Sequence, residues 1–205
     1  CNYAIVSNDE RKGMACAPRD ILIEQCQTAP IQSFTPNTNP TQSFDIRFSH
    51  AIKALFFGVR NKTISNNWSN YTTRSPTVDN TAGIQHEADT TVDPIKQTSL
   101  IYENTSRLSQ MGSDYFSLVQ PWYSAPVIPK ETGYHMYSYS LDFFNLDPMG
   151  STNFGKLTNV SVVPEASADA IDAATNDSQT YSFIVTAINN NIIRVSGGAL
   201  GFPVL

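Results

Sequence analysis

Three histidines and a run of acidic residues are the first places to look for chemistry in this 205-residue chain. His50, His86 and His135 are far apart, and none sits in an H-E-x-x-H or H-x-H arrangement that would put two ring nitrogens on one metal. The tetrapeptide "HEAD" at 86–89 groups one imidazole with two carboxylates, which could hold a divalent ion. It stands in a polar stretch, where a solvated cluster is the simpler expectation. The carboxylate pairs Asp142 with Asp147 and Asp89 with Asp93 have spacings too common to mark a glycosidase. Cys26 lies in an alternating apolar segment that predicts burial, and a thiol is a nucleophile only beside a base. No G-x-S-x-G elbow, phosphate loop or dinucleotide fingerprint is present. "SGGALGFPV" at 196–204 carries three glycines but has no following helix to receive a phosphate, so it reads as a terminal arm. The residues support no catalytic reading and imply no cofactor or metal.

Charge excludes another class. With 13 Lys and Arg against 18 Asp and Glu, the chain is net acidic, and its longest basic group is Arg11–Lys12. Nucleic-acid binders carry basic tracks, so direct DNA or RNA contact is not expected. Arg47, Lys53, Arg60 and Lys62 read as a solvated face. The sequence has no apolar run long enough to span a membrane and no signal-peptide pattern. Cys1, Cys16 and Cys26 form no C-x-x-C pair and are expected to be free thiols. A start at Cys1 is expected to reflect processing or a fragment. Six Asn-X-Ser/Thr sequons, at Asn61, Asn67, Asn70, Asn104, Asn159 and Asn176, are taken as chance in an Asn-rich chain.

Strands must position whatever function exists. Alternating or β-rich segments fall at 3–7, 20–28, 43–63, 98–104, 134–144, 156–163 and 180–188. "INNNIIRVS" predicts a hairpin into a last strand, with Asn at the positive φ of the turn. Two segments read as helices: 113–123, capped by Ser113 and ending before Pro121, and the Ala-rich 165–176. Residues 61–97 are polar and aperiodic, predicting an ordered excursion anchored by Trp68 and Tyr71. Eight or so antiparallel strands with long, uneven loops predict an all-β fold with one or two short helices, a sandwich or jelly roll rather than an up-and-down barrel.

One loop is more elaborate than a strand connection needs: "YSYSLDFFNLDPMGSTNFGKLTNVSVVP", 137–164. It resembles the strand–loop–strand of iridovirus major capsid proteins, within the double jelly-roll family of the nucleocytoplasmic large DNA viruses. The motif is carried by Tyr139, Leu141, Pro148, Gly150, Asn153 and Phe154. "APRDILIEQ" (17–25), "IKALFFGVRNKT" (52–63), "QPWYSAPVIP" (120–129) and "INNNIIRVSGGALGFPVL" (188–205) agree, so the resemblance runs to Leu205, read as the natural C-terminus.

The resemblance implies that 1–205 is one jelly-roll domain, the second of two in a protein about twice as long. It implies homotrimeric pseudo-hexagonal capsomers tiling an icosahedral shell over an internal membrane, with neighbouring capsomers and minor capsid proteins as partners. It places the protein in the virion, assembled in host cytoplasm, with the 61–97 excursion projecting outward. The loop then becomes architecture: Asp147 and Asn153 bond backbone groups, Pro148 fixes φ, Gly150 permits a special conformation, and Phe154 follows. The alternative is a carbohydrate- or receptor-binding module using Trp68, Tyr71, Trp122 and Tyr123, against the expectation that Trp122 and Tyr123 pack under strands.

Overall fold

The computed structural model describes residues 1–63, 68–74 and 92–202. In chain order the elements are helix α1 (Asn8–Cys16) and strands β1 (Arg19–Thr28), β2 (Gln32–Phe34), β3 (Phe44–Asp45), β4 (Ala51–Asn61), β5 (Ile95–Tyr102) and β6 (Thr105–Gly112). A π-helical turn (Tyr115–Val119) runs into α2 (Gln120–Ser124), followed by β7 (His135–Ser138), β8 (Thr152–Asn153) and a 3-10 turn (Phe154–Lys156). β9 (Val160–Ala166), α3 (Ala168–Asn176), β10 (Tyr181–Ser196) and β11 (Ala199–Gly201) complete the chain.

The strands form two antiparallel sheets. The larger runs β1-β10-β4-β7, with β2 and β11 also on β10 and β8 on β4; the smaller runs β3-β9-β5-β6. Their inner faces share one core. Phe44 of the smaller sheet stacks on Phe183 of the larger with ring centroids 4.4 Å apart. Leu55, Val59, Leu100 and Val162 are fully enclosed beside them. Each such side chain contributes about 1.5–3 kcal/mol through removal of apolar surface from water, so the interleaved faces are what hold the sheets together. Ser167 caps α3 by accepting from the Ala170 N–H at 3.2 Å. Its buried Ala170, Ala173 and Ala174 let this helix lie close to the sandwich.

Several expectations are corrected. Residues 3–7 form no strand; Ser7 is instead the N-cap of α1, in a capping box with Glu10. The strand expected over 134–144 is only His135–Ser138. The helix predicted to stop before Pro121 continues through it, because the π-helical turn hands over to α2 and Pro121 falls in that helix's first turn, where its missing N–H costs nothing. Ser113 is not the cap; it is drawn into a buried cluster described below.

The largest correction concerns Asn189, Asn190 and Asn191. They make no hairpin but lie inside the 16-residue β10, paired to β1 in unbroken register from Thr28↔Thr186 to Arg19↔Val195. Asn favours turns because its amide competes for the backbone. Here that amide is satisfied across the strands: Gln27 Nε2 donates to Asn189 Oδ1 at 2.8 Å, and Asn191 Nδ2 donates to Gln25 Oε1 at 2.9 Å. The hairpin instead falls at Gly197–Gly198, both at positive φ, between paired Ser196 and Ala199. That is the two-residue geometry matching strand twist.

Cys26, expected to be buried, is exposed, as are Cys1 and Cys16. β1 is the edge of the larger sheet, and the side that carries Cys26 is uncovered.

Burial also sets an alkaline limit on the fold. The Tyr102 and Tyr139 hydroxyls are bonded to one another inside the sandwich. Burial raises both above the ordinary tyrosine range, and it holds Tyr134, with Glu131 nearby, up to about 12. An unfolded tyrosine loses its proton near about pH 10. Above that pH the unfolded chain releases protons that the fold retains, so this stabilisation is intact below it and is lost as pH rises further. The unfolding free energy from urea titrations should therefore fall steeply between about pH 10 and 12, by up to about 1.4 kcal/mol per pH unit for each retained proton. Tyr102→Phe should shallow the fall; equal slopes in both proteins would disprove this origin.

Candidate functional site

The loop after β7 is built from short side-chain turns. Ser138 Oγ donates to the Ser140 carbonyl at 2.7 Å, and Ser140 Oγ to the Asp142 carbonyl at 3.0 Å. Asp142 Oδ1 accepts from the Phe144 N–H at 3.0 Å, and Asn145 Oδ1 from the Asp147 N–H at 3.1 Å. The loop closes where the Leu141 N–H reaches the Met149 carbonyl at 3.2 Å. Asn153 Oδ1 then accepts from the Gly155 N–H at 2.9 Å, and the Phe154 N–H donates to the His50 carbonyl at 3.1 Å.

Against the expected residues, Asn153 bonds the backbone as read, while Asp147 contributes its N–H and the side-chain role falls to Asn145. Pro148 is exposed. Gly150 has φ +123°, and a Cβ there would sit 3.0 Å from the Tyr139 carbonyl oxygen. Phe154 leaves the loop for the core, edge-on to Tyr102 and Tyr139.

The group that ties this loop down is Lys53. Read as solvated, it is fully buried. β10 pairs Ile188 with Ala54 and Asn189 with Ile52, so Lys53 is the extra residue of a β-bulge in β4. Bulges re-aim a side chain. The Lys53 ammonium pairs with Glu24 of β1 and donates to the Asn145 carbonyl at 2.7 Å. One buried cation thus joins an edge strand, a central strand and the loop. A Lys in an otherwise apolar "IKALFF" carries no local sign of this; only the bulge reveals it.

A second buried group looks catalytic in composition. Asp93, Ser113 and His135 meet where β5, the π-helical segment and β7 converge, all nearly inaccessible. His135 Nε2 lies 2.8 Å from Ser113 Oγ and 2.8 Å from Asp93 Oδ2. Asp93 also accepts from Ser113 Oγ and, through Oδ1, from the Ile95 N–H at 2.9 Å. A catalytic triad places acid and serine on opposite imidazole nitrogens. Here both sit on Nε2, while Nδ1 has no hydrogen-bond partner among the described residues. No proton can be relayed through the ring from one to the other. The cluster pins three chain segments together, and the alternation around His135 gave no hint that it reaches Asp93.

His50 is exposed at φ +67°. His86, Glu87 and Asp89, and most of the 61–97 excursion, lie outside the described residues. Of its expected anchors, Trp68 is exposed, whereas Tyr71 packs on Tyr134 at 4.9 Å. Trp122 and Tyr123, expected under the strands, are instead exposed on α2, at 71% and 77%. No ring contact joins them to Trp68 or Tyr71 among the described residues.

Among the described residues, the two buried polar clusters of this two-sheet β-sandwich, around Lys53 and around His135, join its own strands and loops. Comparison with known proteins gives the family: that of the large eukaryotic DNA virus major capsid protein matches residues 10–201. The chain belongs to this family of structural, non-enzymatic proteins of the virion capsid. It is 65% identical to the major capsid protein of Invertebrate iridescent virus 3 across the whole chain, covering 45% of that protein. It is 51% identical to that of Lymphocystis disease virus 1 over 98% of the chain. The chain thus spans about half the length of the curated relatives it matches. The fold is the jelly-roll sandwich of a solved PBCV-1 virus capsid protein, with TM-score 0.80 at 19% identity over 98% of this chain and 55% of that one.

Proposed function

We propose that this chain is one of two jelly rolls, the second, of a major capsid protein that forms homotrimeric pseudo-hexagonal capsomers in an icosahedral shell. The observation carrying this reading is the 65% identity to a major capsid protein along the whole chain. Rigid sandwiches repeated under symmetry make closed shells from modest contacts. Neighbouring capsomers and minor capsid proteins are the partners this role requires, in a virion assembled in host cytoplasm above an internal membrane. Light scattering on the full-length protein tests it: a trimer is expected, and a monomer at every concentration would count against the capsomer.

The loop residues Asp147, Pro148, Gly150, Asn153 and Phe154 are read as architecture for that brick. Gly150→Val should cost about 2 kcal/mol, because it combines a disfavoured φ with crowding against Tyr139. Unchanged thermal unfolding and normal assembly would remove the loop from that role. A second reading, a carbohydrate- or receptor-binding surface, is favoured by the exposure of Trp122 and Tyr123. A glycan array comparing wild type with Trp122→Ala separates the two.

A further inference from the structure

The outer face of the larger sheet carries a recess for which the capsid role has no use. Consecutive strand residues point to opposite faces. Leu55, Phe57 and Val59 of β4 enter the core, so Phe56 and Gly58 face outward. β10 pairs Thr186 with Phe56 and Ile184 with Gly58, which puts Ile184 and Thr186 on the same outer face. Gly58 has no side chain to fill the space above it. A cavity of about 140 Å³ opens there, with Tyr71 and Tyr134 completing its walls. That is close to the size of cavities that hold one benzene molecule. Phe56, Tyr71 and Tyr134 are all half-buried, so each ring keeps an accessible surface.

The lining offers aromatic surface and acceptors. The Tyr71 ring stands over Gly58, 3.2 Å from where a Cβ would lie, and tilts against the Tyr134 ring at a centroid distance of 4.9 Å. Phe56 is held edge-on by Phe143 at 5.9 Å. Gly133, also in the lining, sets its carbonyl oxygen 2.8 Å from that same Cβ position. The Tyr134 hydroxyl donates to the Glu131 carboxylate, which thus stands one side chain behind a wall of the cavity. The Thr186 hydroxyl is already engaged with Thr28 at 3.2 Å. No lysine or arginine lines the cavity. Aromatic faces carry negative potential and attract cations, and a carboxylate nearby adds to that attraction. A primary ammonium would bring three N–H groups against walls that are mostly carbon, and leaving them unbonded is costly. A quaternary nitrogen has no N–H to satisfy, and its methyl groups fill apolar space.

We propose that this cavity binds a quaternary ammonium group, seated among Phe56, Tyr71 and Tyr134 with Glu131 behind them. The ligand class is a choline-type trimethylammonium, carried either by a free solute or by a phosphocholine headgroup. The inference goes beyond the capsid reading and stands on the cavity alone, not on the oligomeric state.

Proton NMR titration of the full-length major capsid protein tests the proposal. Choline should bind about 5-fold more tightly than 3,3-dimethyl-1-butanol, the neutral molecule of the same shape, because only the cation gains from the rings. Its N-methyl protons should move upfield in the ring currents. Phe56→Leu, which keeps an apolar wall and removes a ring, should weaken choline by about 5-fold. Glu131→Gln should weaken choline by about 3-fold and leave the alcohol unchanged, since it removes charge alone. Thermal melting shows whether each variant is folded, and Glu131→Gln decides the matter if Phe56→Leu unfolds. Equal affinity for choline and the alcohol would mean an apolar cavity and nothing more, and would overturn the proposal. So would a failure of choline to bind, or choline binding that neither variant weakens. Phosphatidylcholine vesicles then identify the source. If they pellet the wild-type protein and free choline releases it, the headgroup is the ligand. If choline binds and the vesicles pellet nothing, the ligand is a soluble quaternary ammonium.

Discussion

Gly133→Ala should destabilise the sandwich by about 3 kcal/mol or more, the largest effect of any glycine-to-alanine change among the described residues, because it joins backbone strain to overpacking. Gly133 lies at φ +93°, where an L side chain is strained whatever space surrounds it. There is no space either: a Cβ would stand 2.1 Å from the Tyr71 carbonyl oxygen and 2.7 Å from the Tyr71 Cβ. Neither is the end of a flexible side chain, so the backbone at 71 would have to move. That backbone is itself confined, since a Cβ on Gly58 would meet the Gly133 carbonyl at 2.8 Å and the Tyr71 ring at 3.2 Å. Three segments therefore cross where two glycines leave room for one tyrosine. Separating them should release the Tyr71–Tyr134 contact and the 2.8 Å bond from the Asn61 N–H to the Asn70 carbonyl. Urea unfolding checks this, with Gly112→Ala as control, because nothing lies within 4 Å of a Cβ there. If the two variants unfold at the same midpoint, the crossing is not a tight point of the fold.

The second large effect is an asymmetry. Glu24→Ala should cost about 3 kcal/mol, whereas Lys53→Met should cost only about 1 kcal/mol, although each breaks the same ion pair. Lys53 is completely enclosed and Glu24 is 35% exposed. Removing the carboxylate strands an ammonium away from water with, among the described residues, only the Asn145 carbonyl bonded to it. Removing the ammonium lets the carboxylate rehydrate, while methionine refills the volume. The double variant should be more stable than Glu24→Ala alone, which additive behaviour forbids. Amide exchange at 141–149 should quicken in all three, because the bond to Asn145 is weakened or gone. A Lys53→Met variant less stable than Glu24→Ala would mean that the ammonium is hydrated through some other route.

Both effects concern residues whose neighbours are remote in the chain, and this divides what could be read early from what could not. Alternation exposed β1, β5 and β9 because a half-buried strand imposes a period of two on its own residues, and β4 showed as the apolar run of a strand buried on both faces. The alanine-rich run announced α3 too, because helix propensity is local information. Turn chemistry around 145–157 was legible as well, since Asx and Gly conformations need only adjacent residues. These patterns, with the motif from Tyr139 to Phe154, were enough for an all-β sandwich and for a resemblance to the capsid family.

Burial and partnership were not legible in that way. Asn189 through Asn191 read as a turn until Gln25 and Gln27 of β1 appear beside them, more than 160 residues away, and absorb the amides of Asn189 and Asn191. Lys53 reads as a surface charge until a one-residue bulge aims it at Glu24. Asp93, Ser113 and His135 become a cluster only when three elements converge, and only the meeting of acid and serine on one ring nitrogen then shows that the cluster is not a triad. Cys26 and Trp122 carry apolar side chains yet end exposed, because an edge strand and a surface helix have uncovered faces that no periodicity reports. Along the chain, then, residue order determined which elements form, since that depends on near neighbours and on the cost of leaving backbone groups unbonded. Which face of each element is covered, and by what, was decided by the packing of the two sheets.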